Sequence, residues 1–474
     1  MITMKVEQIY TGCLAHAAYY IESKGEVAIF DPLREVQPYL DRANKDEAKI
    51  KYIFETHFHA DFVSGHLDLK KKTGANIVFG PTAKPGYDAI IAEDNEVFNI
   101  GDYKIKTIHT PGHTMESTTY LLIDENDKEY GIITGDTLFI GDVGRPDLAQ
   151  HIVTDLNEEK LAGHLFDSLR NRIMPLSDHI IVFPSHGAGS ACGKNMSKET
   201  TDTLGHQKEV NYALRADMTK EEFTKELLDG LAPPPEYFPS NVLMNIEGYT
   251  SFDEVINKGK TALNVNAFEI AANETGAIVI DVRHQDDFTK GHIPRSIFIG
   301  LDGTFAPWVG SLIKDVKQTI LLVVPAGREK EAITRLSRVG FDNTIGYLDG
   351  GFEAWKKAAK EYDKVTSISA EKFKEAIEKD NVPVFDVRKE GEFQAEHIVD
   401  ANHTGLDKLN EHLAEFPKDE NFYVHCAAGY RSMIASSILK SRGIHNLIDV
   451  YGGFNSIKEV GIKTTNFVCP STLK

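Results

Sequence analysis

The sequence predicts a multidomain α/β chain, with one large N-terminal domain followed by two small, related α/β domains built on parallel sheets. Three observations predict it: an internal repeat in the second half, a proline-rich break ahead of it, and a series of strand-like runs before the break that end in histidine or aspartate. At 474 residues the chain exceeds one ordinary core. At one domain per roughly 100–200 residues, about three are expected.

The repeat is read first. Ile278-Val-Ile-Asp-Val-Arg283 followed by Gly291-His-Ile-Pro-Arg-Ser296 recurs as Val384-Phe-Asp-Val-Arg388 followed by Glu396-His-Ile-Val-Asp-Ala401, an offset of 105. Leu348-Asp-Gly-Gly-Phe-Glu-Ala-Trp355 recurs as Val450-Tyr-Gly-Gly-Phe-Asn-Ser-Ile457, an offset of 102. Two homologous domains follow, placed at 258–362 and 363–474. Short β-branched runs such as Ile320–Val324 and Phe422–Val424 alternate there with helical patterns such as Arg431–Lys440, the signature of a small parallel α/β sheet.

Leu231-Ala-Pro-Pro-Pro-Glu-Tyr-Phe-Pro-Ser240 cannot continue a helix, so 231–257 is expected to be a semi-rigid linker. The first domain is therefore placed at 1–230. It opens with strand-like runs at Tyr19–Ile21, Val27–Phe30 and Tyr52–Phe54 and closes on a charged helical stretch near 198–229.

Composition narrows the function classes. The charge of −19 disfavours nucleic acid and anionic membranes, which call for a basic surface. No run of apolar residues is long enough to span a bilayer, and Met1–Gln8 lacks the basic and apolar regions of a signal peptide, so the expected location is cytoplasmic. Cysteines at 13, 192, 426 and 469 show no CxxC spacing, so neither a disulfide framework nor a cysteine zinc site is expected.

The run Tyr52-Ile-Phe-Glu-Thr56 leads into His57-Phe-His59-Ala-Asp61, three ligand-type side chains within five residues. Thr110-Pro-Gly-His113, Ile133-Thr-Gly-Asp136 and Phe183-Pro-Ser-His186 each add one more at a turn after a β-like run. One such residue is an ordinary turn residue; their coincidence at strand ends points to a metal site. The ordered set resembles the metallo-β-lactamase superfamily motif, His-x-His-x-Asp-His followed by His, Asp and His. The resemblance covers residues 1–230 and implies an αββα sandwich with the metal at one edge between two sheets.

One departure decides the chemistry expected of it. Phe62 stands where a dinuclear zinc hydrolase has the final histidine of the first motif, and His66, the nearest substitute, has the spacing of a helix start. A single metal held by two imidazoles and one carboxylate is the arrangement of non-haem Fe(II) oxygen chemistry. Within the superfamily the persulfide dioxygenases look like this. The resemblance implies one Fe(II) per chain on His57, His113 and Asp136, with His59, Asp61 and His186 as outer groups that orient water or the ligands. Gly141-Asp-Val-Gly-Arg-Pro-Asp147 resembles the segment after the metal aspartate in that group and places Arg145 at the mouth, to grip an anionic thiol carrier.

In the last domain, Phe422-Tyr-Val-His-Cys426 is a buried-strand pattern and Arg431–Leu439 a helical one. Between them Ala427, Ala428, Gly429 and Tyr430 form a tight loop whose N–H groups, with Arg431, are expected to stabilise a thiolate or persulfide on Cys426. Cys-x-x-Gly-x-Arg, with Asp386-Val-Arg388 and Gly452-Gly453, resembles the rhodanese family. That implies a sulfane sulfur carried on Cys426 and passed to a nucleophile such as sulfite. The first copy has Pro325 at that position and a shorter loop, so it is read as catalytically silent. Cys192, in a glycine-rich loop after His186, is a candidate sulfur relay.

Together these resemblances imply a persulfide dioxygenase–rhodanese fusion, acting on a small thiol persulfide, O2 and sulfite, with no nucleic acid or membrane partner. A homodimer or homotetramer is the expected assembly. Two alternatives stand beside it. One is a glyoxalase II-like thioester hydrolase with two zinc ions; the other is a sulfur carrier with a vestigial metal domain.

Overall fold

The computed structural model describes residues 4–148, 157–231, 233–380 and 382–469. It divides into two compact units, residues 1–254 with 337–340, and 255–336 with 341–474.

The first unit holds two six-stranded sheets. One runs in the order β1 (Val6–Thr11), β2 (His16–Ser23), β3 (Glu26–Phe30), β4 (Lys49–Phe54), β5 (Asn76–Phe79) and β6 (Ile90–Ile91). It is antiparallel through β3 and parallel from β3 onward. The other consists of β7 (Val97–Ile100), β8 (Tyr103–His109), β9 (Thr118–Ile123), β10 (Glu129–Gly135), β11 (Ile181–Pro184) and β12 (Asp202–Thr203), also in sequential order. The inner faces meet in one apolar core: Phe30, Phe54 and Val78 from the first sheet pack with Ile105, Tyr120 and Leu122 from the second. Phe54 lies 4.9 Å from Phe30 and 4.9 Å from Tyr120 by ring centroids. Such aromatic pairs add about 0.5–1.5 kcal/mol beyond area burial. The outer face of the second sheet is covered by the helices Glu158–Ser168 and Lys220–Leu228 through Ala162, Leu165 and Phe223. Helices Gln37–Lys45 and His66–Thr73 bury Tyr39, Ala43 and Leu69 in the same unit. The αββα sandwich is thus built.

Residues 231–257 depart from the expected linker. Prolines stop the preceding helix, but Pro239 then sits in the first turn of a new one, Phe238–Glu247, where its missing N–H costs nothing. That helix buries Phe238, Asn241, Val242 and Asn245. The amide of Asn245 donates to the carbonyls of His59 (2.8 Å) and Phe62 (2.9 Å), while its oxygen accepts from Ser64 N–H (2.9 Å). The segment is a brace for the first histidine loop, with the hydrogen bonds that a linker lacks.

The second unit contains two five-stranded sheets of the same topology. The first is ordered β13 (Ala262–Leu263), β17 (Thr344–Leu348), β16 (Ile320–Val323), β14 (Ile278–Asp281), β15 (Ile297–Phe298). The second is ordered β18 (Ser367–Ile368), β22 (Leu447–Val450), β21 (Phe422–His425), β19 (Val384–Asp386), β20 (Asn402–His403). All pairings are parallel, and the central strands β16 and β21 are buried along their whole length, as parallel sheets covered on both faces require. The repeat also survives as one shared device. Arg283 pairs with Asp281 (2.5 Å), reaches the Gly291 carbonyl (2.8 Å) and lies over Phe352 (4.4 Å). Arg388 does the same with Asp386 (2.6 Å), Glu396 (2.7 Å) and Phe454 (3.8 Å).

Among the described residues, no helix is long and apolar enough to cross a membrane.

Candidate functional site

The metal donors stand just past strand ends. His57 follows β4, His113 follows β8, Asp136 follows β10 and His186 follows β11. Gly135 makes the turn into Asp136 with φ +53°, and a Cβ there would meet Thr56 side-chain atoms at 2.6 Å, so only glycine fits.

His57, His113 and Asp136 bring one ligand atom each within 4.8 Å of one another, all buried. Oδ2 of Asp136 lies 3.9 Å from Nε2 of His57 and 3.5 Å from Nε2 of His113. The neighbours settle which nitrogen faces inward. His113 Nδ1 lies 2.7 Å from the Arg145 carbonyl oxygen, which can only accept, so the proton is on Nδ1 and the Nε2 lone pair points at the site. Thr56 Oγ donates to Asp31 (2.9 Å) and therefore accepts from His57 Nδ1 (2.9 Å), with the same result.

Electrostatics fit a cation. Burial first, and then the neighbouring imidazoles, hold His57 well below the usual histidine range, and burial pushes His113 down to about 4. Burial, reinforced by Asp61, raises the Asp136 carboxyl well above its ordinary value. Both Asp136 oxygens and His186 Nε2 are buried with no hydrogen-bond partner among the described residues. Buried orphan acceptors cost about 1–3 kcal/mol each, a cost that a divalent ion removes. The donor set thus fits a metal.

His59 does not join this group. Its Nε2 is 3.1 Å from Asp31 and 3.6 Å from Glu55, and its ring lies 4.3 Å from Phe62. Phe62, fully buried, also packs on His16 at 4.2 Å. His66 opens its helix and faces Glu55 at 3.3 Å. A second set of donors nevertheless remains beside the first: His59, Asp61 and His186 bring donor atoms within 4.8 Å of one another, and His186 Nε2 lies 3.5 Å from Asp61 and 3.6 Å from Oδ1 of Asp136. Cys192, in the glycine-rich loop after His186, is buried with Asp136 and His186, donor atoms within 4.8 Å. Burial and the two carboxylates push its thiol well up.

Arg145 is a correction. It is 5% exposed, its guanidinium is paired with Asp147 (2.7 Å and 2.6 Å) and donates to Ala191 O (3.2 Å), so it does not reach for a substrate at the mouth. Its backbone carbonyl, which orients His113, is the part that serves the site. Sequence reasoning also missed Asp31, which collects Thr56 N–H (2.8 Å), Thr56 Oγ (2.9 Å) and Ser185 Oγ (2.8 Å) beneath the histidines. Its place directly after β3, like that of the other donors after their strands, was the available signal.

The second site is the loop after β21. Cys426 is buried at 1% exposure, and Gly429 N–H points at its Sγ from 3.1 Å. Gly429 is left-handed (φ +102°) and caps the helix Tyr430–Ser441, so the thiol lies at a helix N-terminus where negative charge is favoured. Amides of Phe454 (2.7 Å) and Asn455 (3.1 Å) hold the carbonyls of Cys426 and Ala427 on the far side, behind the Gly452-Gly453 turn. Ala428 and Gly429 line a small cleft of about 120 Å³. Two expectations change. The Arg431 guanidinium hydrogen-bonds Glu392 (2.5 Å and 2.9 Å) and acts on Cys426 through its charge alone, and the Tyr430 hydroxyl donates to Gly300 O (2.7 Å), so neither side chain is seen to hydrogen-bond the sulfur. Asp449, which the sequence did not single out, accepts from Ser432 Oγ (2.7 Å) and Ser367 Oγ (2.8 Å), and burial pushes it up to about 6. In the first copy Pro325 takes the place of the nucleophile, and Gly327 N–H donates to Glu329 (3.0 Å) in place of a sulfur.

Comparisons with known proteins agree with both sites at the level of family. Residues 11–186 match the metallo-beta-lactamase superfamily, and residues 266–358 and 369–460 each match the rhodanese-like domain. A metallo-beta-lactamase structure from Staphylococcus aureus subsp. aureus COL is similar at 30% identity and TM-score 0.62, over 73% of this chain and 98% of that one. A probable hydroxyacylglutathione hydrolase of Schizosaccharomyces pombe is 28% identical over 204 residues, 42% of this chain and 74% of that protein. A hydroxyacylglutathione hydrolase of Dictyostelium discoideum is 33% identical over 190 residues, 39% of this chain and 66% of that protein.

Proposed function

The chain belongs to the metallo-β-lactamase superfamily and continues into two rhodanese-like domains, and from that premise we propose that it oxidises a low-molecular-weight thiol persulfide and transfers sulfur through Cys426. The observation that carries the reading is the buried trio His57, His113 and Asp136, with Phe62 in place of the seventh donor that would complete the neighbouring set of His59, Asp61 and His186. Two imidazoles and one carboxylate suit Fe(II) with positions left for substrate and O2. Such an ion, when bound, would offer the meeting point for persulfide sulfur and dioxygen, the sulfur itself giving up the four electrons that reduce O2. In balance, a persulfide RSSH, one O2 and one water yield RSH, sulfite and two protons.

The chain's own groups prepare that chemistry. Thr56 and the Arg145 carbonyl keep both imidazoles in the tautomer that presents Nε2, and Asp136 contributes the anionic donor. Burial of all three keeps bulk water from the site. Downstream, Cys426 takes the outer sulfur of a second persulfide, releasing the thiol, while Gly429 N–H supports the anion. Attack by sulfite on that sulfur then gives thiosulfate and returns the Cys426 thiolate. Holding both activities in one chain raises the effective concentration of the shared sulfite.

The zinc hydrolase reading draws on Asp61, His186 and Asp136, still spaced at 3.5 Å and 3.6 Å, and on the printed names of the hydrolase relatives. The unpartnered Asp136 oxygens count against a vestigial metal domain. Oxygen uptake with glutathione persulfide, run beside hydrolysis of a glutathione thioester on the same preparation, separates the readings. Persulfide-dependent uptake supports the proposal, and thioester hydrolysis without it overturns the proposal.

A further inference from the structure

The silent rhodanese copy keeps its sheet, its Arg283 device and its Gly350-Gly351 turn, but has no thiol. Some of its contacts with the other copy fall on the one loop that has, beside others elsewhere such as Asn410 to the Leu312 carbonyl. The Tyr430 hydroxyl, on the residue between Gly429 and Arg431, donates to the carbonyl of Gly300 at 2.7 Å. The ring presses on Gly303, where a Cβ would come within 2.4 Å to 2.8 Å of three ring carbons, so any larger residue there would displace it. Phe298 meets the same ring edge-on at 5.8 Å. Two turns along the helix that Tyr430 begins, Ser437 Oγ accepts the N–H of Phe298 at 2.9 Å, fully buried. On the other side of the loop His284 and Gln285 face Ala428 and Gly429 across the cleft.

We infer that the silent copy is a positioning domain for the sulfur-carrying loop, and that Tyr430, seated on Gly300 and Gly303, is the positioning residue through which it acts. The chain of cause is short. Gly429 is the donor to Cys426 Sγ through the N–H of its peptide with Ala428, and only the φ and ψ of Gly429 separate that N–H from Tyr430. Fixing the Tyr430 ring and hydroxyl in the neighbouring copy fixes the direction of that N–H. A N–H···S bond at 3.1 Å stabilises the thiolate only while it is aimed at the sulfur. A part-buried hydroxyl satisfied by a carbonyl of the other copy also resists rotation, because swinging out breaks that bond.

The inference rests on the reading of Cys426 as the sulfur carrier, and the test keeps the two apart. In the full chain, Tyr430→Phe removes only the hydroxyl, and Gly303→Ala pushes the ring from the silent side. The rate of Cys426 alkylation by iodoacetamide, followed by peptide mass spectrometry across pH, reports the thiolate directly and needs no sulfur substrate. Both variants are expected to move the midpoint of that profile upward by about one pH unit. Sulfur loading from glutathione persulfide is expected to slow about tenfold. Wild-type midpoints and loading rates in Tyr430→Phe would overturn the inference even if Gly303→Ala fails to fold. A wild-type chain that accepts no sulfur would instead overturn the carrier reading, while the alkylation profiles still decide the positioning.

Discussion

His113 and Arg145 are joined by a 2.7 Å hydrogen bond from the imidazole Nδ1 to a backbone carbonyl, which makes the peptide at 145 part of the metal centre although its side chain is not. The adjoining Gly144 passes so close that a Cβ would lie 2.1 Å from the Asp136 carbonyl and 3.0 Å from His113 Nδ1. Gly144→Ala is therefore expected to lower metal occupancy about tenfold while removing no ligand, the scale of effect seen when groups that orient ligands are lost. Metal content after equilibrium dialysis checks it; unchanged occupancy would show that the 145 peptide does not hold His113.

Phe62 occupies the volume beside His16 and His59 at ring distances of 4.2 Å and 4.3 Å. Phe62→His adds an imidazole to a neighbourhood that already offers Asp61, His186 and Asp136. Bound zinc is expected to rise from one ion per chain toward two, as a fourth protein donor completes a tetrahedral set. Elemental analysis of zinc-loaded wild type and variant reads this directly, and equal loading would remove Phe62 as the determinant.

Cys426→Ser should abolish thiosulfate formation and leave oxygen uptake and sulfite release largely intact, because the thiol is buried in its own loop and the metal donors belong to the other compact unit. Thiosulfate and sulfite measured in the same reaction check it. Loss of both products would show that the two activities are not divided in this way.

The pH dependence has a definite sign. The Asp136 carboxyl is raised well above its ordinary value by burial, so in the metal-free chain it favours its proton, and a metal must displace that proton. His113, pushed down to about 4, is already neutral. Metal affinity should therefore rise with pH through the Asp136 titration. A folded carboxyl pKa above the unfolded one also means that metal-free stability falls as pH rises from the unfolded value through the folded one. The rise in melting temperature on adding metal should accordingly grow as pH rises through the Asp136 titration. A constant increment over that range would contradict the assignment of Asp136 as the ligand whose proton is displaced.

What the sequence made legible were strings. His57 to Asp61, the glycine turns before His113 and Asp136, the repeated Asp-Val-Arg, and Pro325 in the place of Cys426 all sit in short windows where spacing carries the chemistry. What it hid were partners distant along the chain. Asn245 braces the loop at His59 across 186 residues, and Tyr430 finds Gly300 across 130. Arg145 and Arg431 illustrate the opposite error. A guanidinium beside a site suggests an anion grip, yet burial obliges each to find a carboxylate, and Asp147 and Glu392 were the carboxylates within reach. The proline run at 233–235 marked a true break but not a linker, because the amphipathic helix after it has a buried face to satisfy.

The most direct test of the central claim is the metal content of chain purified without oxygen, measured together with oxygen consumed per glutathione persulfide. One iron per chain is expected, with one O2 per two persulfides while Cys426 draws the sulfite into thiosulfate, one O2 per persulfide in Cys426→Ser, and loss of iron and of oxygen uptake in His113→Ala. Two zinc ions per chain, with no persulfide-dependent oxygen uptake when iron is supplied, would contradict it.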